Sequence, residues 1–230
     1  MLSKIDLKNA VAAKNRGILA TEADRQVIAS IIARVEDTNP TPEPLSAPEL
    51  LAGDWRLLYT TSQELLGIDR VPLASLGNIY QCVRPKQSRI YNIAEVKSLP
   101  LCEGLVSVVA SFSPAPAEWP VASASGSSTS ASGASGGSVA VAALSTSKVN
   151  VKFERAVFGL QRALGYTGPA QHIRKLETAE RVGFLQGIDF SISSDRDPGW
   201  LKITYLDEDL RIGRGNQGSL FVLTKDAPGG

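Results

Sequence analysis

The sequence predicts a mainly β protein, an antiparallel sandwich or closed barrel preceded by two N-terminal helices. Three observations carry that expectation. Apolar residues recur at helical spacing up to about residue 36. Pro40, Pro42, Pro44 and Pro48 then stop any helix and form a stiff connector. Beyond them the apolar period becomes two, in many short segments with few helical intervals between them.

The helices come first. Ser3 with Asp6 and Thr21 with Asp24 have capping-box spacing, with Asp in place of the usual Glu or Gln. After the second box, Ala23, Val27, Ile28, Ile31, Ile32 and Val35 form an apolar stripe edged by charges. Two helices over residues 4–36, broken near Gly17, are expected to pack on the main domain. Residues 1–45 therefore read as a helical segment with its connector, and 46–230 as the β domain.

That domain opens on "GDWRLLYT". Gly53 frees the backbone for a sharp entry into a strand. Alternation puts Trp55, Leu57 and Tyr59 on one face and Arg56, Leu58 and Thr60 on the other. Further strands are expected at 77–84, 89–96, 104–112, 149–157, 186–192, 200–206, 209–213 and 219–224. Residues 114–148, which include "SASGSSTSASGASGGS", are too poor in apolar surface to offset their ordering entropy. They read as a disordered insertion at a hairpin tip. Residues 158–184 lack strict alternation and read as a loop with a short helix over one end of the sheet.

Composition excludes several classes of function. Lys and Arg total 24 against 23 Asp and Glu, a net charge of +1. That supplies no field for nucleic acid or an anionic surface. The two cysteines, Cys82 and Cys102, make no disulfide framework. No apolar run reaches the ~18–20 residues needed to span a bilayer. The N-terminus lacks a secretory apolar core, and Asp6 is unlike an acid-poor transit peptide, so an intracellular or processed chain is expected.

Nor does a reaction announce itself. Gly213-Arg214-Gly215-Asn216-Gln217-Gly218 is a literal G-x-G-x-x-G, but a strand follows it instead of the helix a dinucleotide site needs, so it reads as a turn. The acidic triplet Asp207-Glu208-Asp209 reads as a solvated turn with one carboxylate paired to Arg211 or Arg214. His172, the single histidine, is expected on the surface. No catalytic residue, metal or cofactor is expected.

Several stretches resemble one known family. "NPTPEPL", "GDWRLLYTTSQELLG", "GNIYQCVR", "YNIAEV" and above all "TYLDEDLRIGRGNQGSLFVL" are similar to the plastid lipid-associated proteins, or fibrillins. The resemblance runs from the N-terminal helices to about Thr224 and omits the Ser/Ala/Gly stretch. It implies a lipocalin-like barrel at thylakoids or plastoglobules, in a cyanobacterial cell or a plastid. It also implies non-catalytic binding or organisation of a carotenoid, quinone or acyl lipid, with peripheral membrane contact. "GDW" looks like the G-x-W that opens such barrels, whose Trp seals the closed end against an Arg of a late strand. Trp55 and Arg211 are the corresponding residues, with Arg214 as the alternative. A scaffold coating lipid bodies or docking a lipid-synthesis enzyme, and a chromophore lyase, are the competing readings. Arg56, Tyr91 and Glu95 are the candidates for polar groups facing a ligand inside the barrel.

Overall fold

The computed structural model describes residues 3–62, 75–97, 103–117, 143–178, 181, 183, 186–192 and 199–226. Two helices, α1 (Lys4–Ala12) and α2 (Glu22–Glu36), begin at Ser3 and Thr21, and each start carries a reciprocal capping box. A 3-10 turn over Pro44–Ser46 and the short helix α3 (Pro48–Leu51) lead into the sheet.

Nine antiparallel strands follow: β1 (Gly53–Thr60), β2 (Ser75–Arg84), β3 (Arg89–Lys97), β4 (Gly104–Pro116), β5 (Leu144–Leu160), β6 (Gly187–Ser191), β7 (Gly199–Leu206), β8 (Leu210–Gly215) and β9 (Leu220–Lys225). Their order is β4-β3-β2-β1-β9-β8-β7-β5-β6, and pairing of β4 with β5 closes eight of them into a barrel. Closure removes sheet edges, the standing hazard of antiparallel sheets. The strand β6 stands outside the ring. It pairs with residues 155–159 of β5, while β7 takes residues 148–151 on the same edge.

The β4–β5 hairpin is longer than the alternation suggests. Pro114 pairs with Val149 and Pro116 with Leu144, so the ends of the expected 114–148 insertion are strand. Residues 118–142 lie outside the described residues. Beyond β5, two helices replace most of the expected loop: α4 (Gln161–Leu164) and α5 (Pro169–Thr178).

Apolar clusters form on both surfaces of the sheet. On one outer flank α1 and α2 bury Leu7, Ile28 and Ile32 against Tyr59, Ile212 and Val222. On the other, α4 and α5 bury Leu164, Ile173 and Leu176 against Cys82, Ile93 and Val157. The lumen holds a third cluster around Trp55, Leu57, Val83, Ile90 and Ile203. A β-bulge between Leu57 and Tyr59 shifts the β1–β9 register, so Tyr59 pairs with Val222 on the outer face. The single face expected for Trp55, Leu57 and Tyr59 is thereby divided.

The acidic turn binds α1 rather than Arg211 or Arg214. Lys4 pairs with Asp207 at 2.9 Å and with Asp209, and Lys8 reaches Asp209 at 2.7 Å. These cations hold the Asp209 carboxyl well below its usual range. Gly213 and Gly215 belong to β8, and the turn is carried by the 3-10 segment Asn216–Gly218. A Cβ on Gly213 would meet Leu201 Cδ1 at 3.1 Å, and one on Gly215 would meet Phe221 at 3.2 Å. Close lumenal packing therefore accounts for those two glycines.

Candidate functional site

The lumen has a sealed end and an open end. At the sealed end Gly53 enters β1 at φ +144°, where a Cβ would also stand 2.4 Å from Lys225 Cε. Trp55 is fully buried, and its indole Nε1–H donates to the Leu51 carbonyl at 3.0 Å. Arg211 Cζ and Lys225 Nζ each lie 5.0 Å from the Trp55 ring. The structure thus brings Trp55 and Arg211 together. Arg214 instead points outward and pairs with Glu36 at 2.7 Å.

Arg211 is 2% exposed and donates to Gln81 Oε1, while Gln81 Nε2–H donates to Asn92 Oδ1 at 3.1 Å. No carboxylate pairs with this guanidinium among the described residues, and burial pushes its proton affinity down to about 9. Leu51, Val83, Ile90, Phe112 and Ile203 crowd around it, leaving about 10 Å³ of free space. That is the room of roughly one water. The sealed end is packed solid.

At the open end the lumenal face is bare. Cross-strand partners share a face, so the register fixes which side chains look inward. Ala110 pairs with the lumenal Ile90 and also with Phe153. Val106, which packs on the lumenal cluster, pairs with Phe158, and Phe158 in turn pairs with Ile188. Phe190 lies opposite Ala156, the partner of the inward Val108. Phe153, Phe158, Ile188 and Phe190 are 44%, 40%, 69% and 44% exposed, although the register puts all four on the sheet face that β3 and β4 turn to the lumen. Phe158 and Phe190 stack with centroids 5.8 Å apart. No second strand pairs with β6 among the described residues, so nothing described closes the wall beside this apolar floor.

The three candidate ligand-facing residues require correction: none of them faces the lumen. Arg56 lies opposite the outward Tyr80 and holds Asp226 at 3.1 Å. Tyr91 donates through its hydroxyl to Glu177 of α5 at 3.0 Å, and burial pushes its hydroxyl up to about 12. Glu95 accepts from the Tyr166 hydroxyl at 3.0 Å and from the Asn78 N–H at 3.2 Å. Tyr91 and Glu95 anchor the helical cover on β3; Arg56 stands apart on β1. The chromophore-lyase reading therefore loses its polar cluster, since the lumenal Arg211, Gln81 and Asn92 sit at the packed end.

His172 also requires correction. It is 1% exposed under α5, with Nε2 2.8 Å from Ser107 Oγ of β4. Burial, then Lys175 and Arg155, depress its pKa to about 4, so the ring is neutral near pH 7. A buried Ser–His contact whose other ring nitrogen has no orienting partner among the described residues lacks the parts of a nucleophilic site. Among the described residues no group of three or more His, Cys, Asp or Glu could hold a metal. No described helix is long and apolar enough to cross a membrane.

Sequence reasoning missed the open-end residues. Their signal was present in the alternation of Ile188 and Phe190 and in Phe158, but nothing local says that those faces lack a cover.

The PAP_fibrillin family model matches residues 1–118 and 129–224. Plastoglobulin-1, chloroplastic, of Pisum sativum is 32% identical over 232 residues, covering 97% of this chain and 60% of its own length. A probable plastid-lipid-associated protein 3, chloroplastic, of Oryza sativa subsp. japonica is 32% identical over 96% of this chain and 57% of its own. A chromoplast-specific carotenoid-associated protein of Cucumis sativus is 28% identical over 92% of this chain and 64% of its own. The chain thus spans between 57% and 64% of the length of these curated relatives. No solved structure matches significantly.

Proposed function

Because the chain belongs to the PAP_fibrillin family, we propose that it is a non-catalytic lipid-associated protein that binds or organises hydrophobic molecules through the open end of its barrel. The observation that carries this reading is the exposed inward set Phe153, Phe158, Ile188 and Phe190. A carotenoid, quinone or acyl tail would lie on that floor, short of the packed sealed end. The names of the relatives support a setting at plastid lipid bodies; the thylakoid surface, a second location, rests on the sequence resemblance alone. Contact there is peripheral and apolar. With a net charge of +1 it should survive moderate salt, since little attraction is present to screen.

The packed sealed end favours a second reading, in which the barrel coats a lipid surface without enclosing a molecule. Stoichiometry separates the two. A carrier saturates at about one lipid per chain in solution, whereas a coat binds in proportion to surface area.

Both readings need the open end, and one experiment tests it. Burying a whole Phe or Ile side chain is worth roughly 1.5–3 kcal/mol. At 40–69% exposure, Phe158, Ile188 and Phe190 each retain about 1 kcal/mol to gain. Together that is about 3 kcal/mol, roughly a hundredfold in partition. The variant Phe158→Ser, Ile188→Ser, Phe190→Ser should keep the wild-type circular dichroism. Its flotation with phosphatidylcholine-coated triacylglycerol emulsions should fall by about that factor. Undiminished flotation would refute the open end as the lipid contact.

A further inference from the structure

A second recess lies outside the barrel, between α4, α5 and the residues Arg181 and Gln186. It encloses about 240 Å³ and is lined by Leu164, His172, Lys175, Leu176, Arg181 and Gln186, among others. Its apolar floor is Leu164 and Leu176. Its polar lining carries two cations, an amide and an imidazole, and no carboxylate among the described residues. Among the described acids of the flanking elements, Asp189 pairs with Arg155 at 2.7 Å and Glu177 accepts from the Tyr91 hydroxyl at 3.0 Å. Lys175 donates to the carbonyls of Leu164 and Gly165 at 2.8 and 3.1 Å, which fixes the ammonium at the rim with one N–H to spare.

The second observation is His172. Its Nε2 is taken by Ser107, and its Nδ1 is buried without a partner. If the Ser107 hydroxyl donates to Nε2, the ring proton sits on Nδ1 and a buried donor goes unused. Leaving such a donor unmade costs about 1–3 kcal/mol, which an acceptor in the recess would recover.

We propose that this recess is an anion site for a phosphate group, free or carried by a lipid head, bound by Arg181, Lys175 and the Nδ1–H of His172. Its volume exceeds what a bare phosphate fills, so a substituent on the phosphate is accommodated over the leucine floor. The site is on the outer flank, with lining residues distinct from Phe158, Ile188 and Phe190, although Leu164 and Gln186 lie close beside Gly159 of the same strand as Phe158. Phosphate binding and tail binding therefore succeed or fail separately.

The chain has one histidine, so its ring nitrogens give a single pair of signals in a long-range ¹H–¹⁵N correlation spectrum. The full chain is titrated near neutral pH, at constant ionic strength, with inorganic phosphate and separately with monomeric short-chain phosphatidate. A saturable shift centred on Nδ1 is expected. Arg181→Gln, at an exposed position, should weaken binding about tenfold, the worth of one charge-assisted bond. A response to phosphate alone identifies a free anion as the occupant, and a response to phosphatidate alone identifies a lipid head. No saturable shift with either probe overturns the proposal. So does the same shift with sodium chloride, or undiminished binding by Arg181→Gln.

Discussion

Replacing Arg211 with methionine should leave the barrel nearly as stable as before, although Arg211 is one of the most deeply buried side chains. Burial moves its proton affinity from 12.5 to about 9, a desolvation cost of roughly 5 kcal/mol at about 1.36 kcal/mol per pH unit. Two interactions offset it. The hydrogen bond to Gln81 returns about 1.5–3 kcal/mol, as bonds to charged groups do. The contact with Trp55, at 5.0 Å and out of water, returns about 2 kcal/mol. The sum is close to zero. Methionine keeps most of the volume, so no large cavity opens beneath Trp55. It also removes a cation that, after desolvation, helps to depress the Lys225 ammonium. Arg211→Met is therefore expected within about 2 kcal/mol of the native protein, in either direction. Gln81→Leu should behave differently, because it strips the acceptor and leaves the charge buried, at a cost of about 2–3 kcal/mol. Adding Arg211→Met to Gln81→Leu should recover most of that loss. Urea unfolding followed by tryptophan fluorescence and circular dichroism measures all three. A loss above about 4 kcal/mol in Arg211→Met, or a neutral Gln81→Leu, would refute this account of the sealed end.

Two further outcomes are expected. The His172 pKa is depressed to about 4 in the fold against 6.5 unfolded, so its contribution is complete above pH ~6.5 and is lost as pH falls toward 4. The loss is on the order of 2 kcal/mol once solvent screening is allowed for; His172→Gln should flatten this part of the stability–pH curve, and an unchanged curve contradicts the assignment. The Ala117 N–H donates to the Ala143 carbonyl at 2.7 Å, so the hairpin is already closed at that point. Replacing residues 118–142 with Asn-Gly should be neutral or stabilising by up to about 2 kcal/mol, and a marked fall in melting temperature would show that those residues pack.

How much of this was legible in the sequence depended on whether the relevant signal was local. Both capping boxes could be read because Ser3–Asp6 and Thr21–Asp24 close within one turn. The eight-strand ring follows from period-two segments, yet the inner and outer faces could not be assigned. Helices cover the outside, so Cys82 beside Val83 and Tyr91 beside Ile90 are all buried. With both faces apolar, alternation no longer says which side is the lumen. That is why Arg56, Tyr91 and Glu95 were assigned inward. The bulge after Leu57 inverts a face without any mark in composition. In α5, Pro169 at the first turn and the pair Ile173 and Leu176 were helix signals, but ten residues with a histidine on the buried side give little periodicity. Burial of His172 rests on Ser107, 65 residues away, and no local pattern reports a contact of that span.

The clasp between α1 and the turn after β7 has a consequence for the order of assembly. Lys4 and Lys8 meet partners 201–205 residues later in the chain, and the apolar seat of α1 and α2 includes Ile212, Leu220 and Val222 of the last two strands. During synthesis the first helices therefore emerge long before the surface that receives them exists. So does β1, whose neighbour β9 is the last described strand. The ring closes only when β1 and β9 find each other, and contacts of such separation slow the search. Until then the Ile-rich side of α2 is without its native seat, the kind of exposed surface that invites a chaperone or a wrong partner. A truncation that removes β8 and β9 should thus leave α1 and α2 without a dock, and the loss of two late strands would show as protease sensitivity in the first helices.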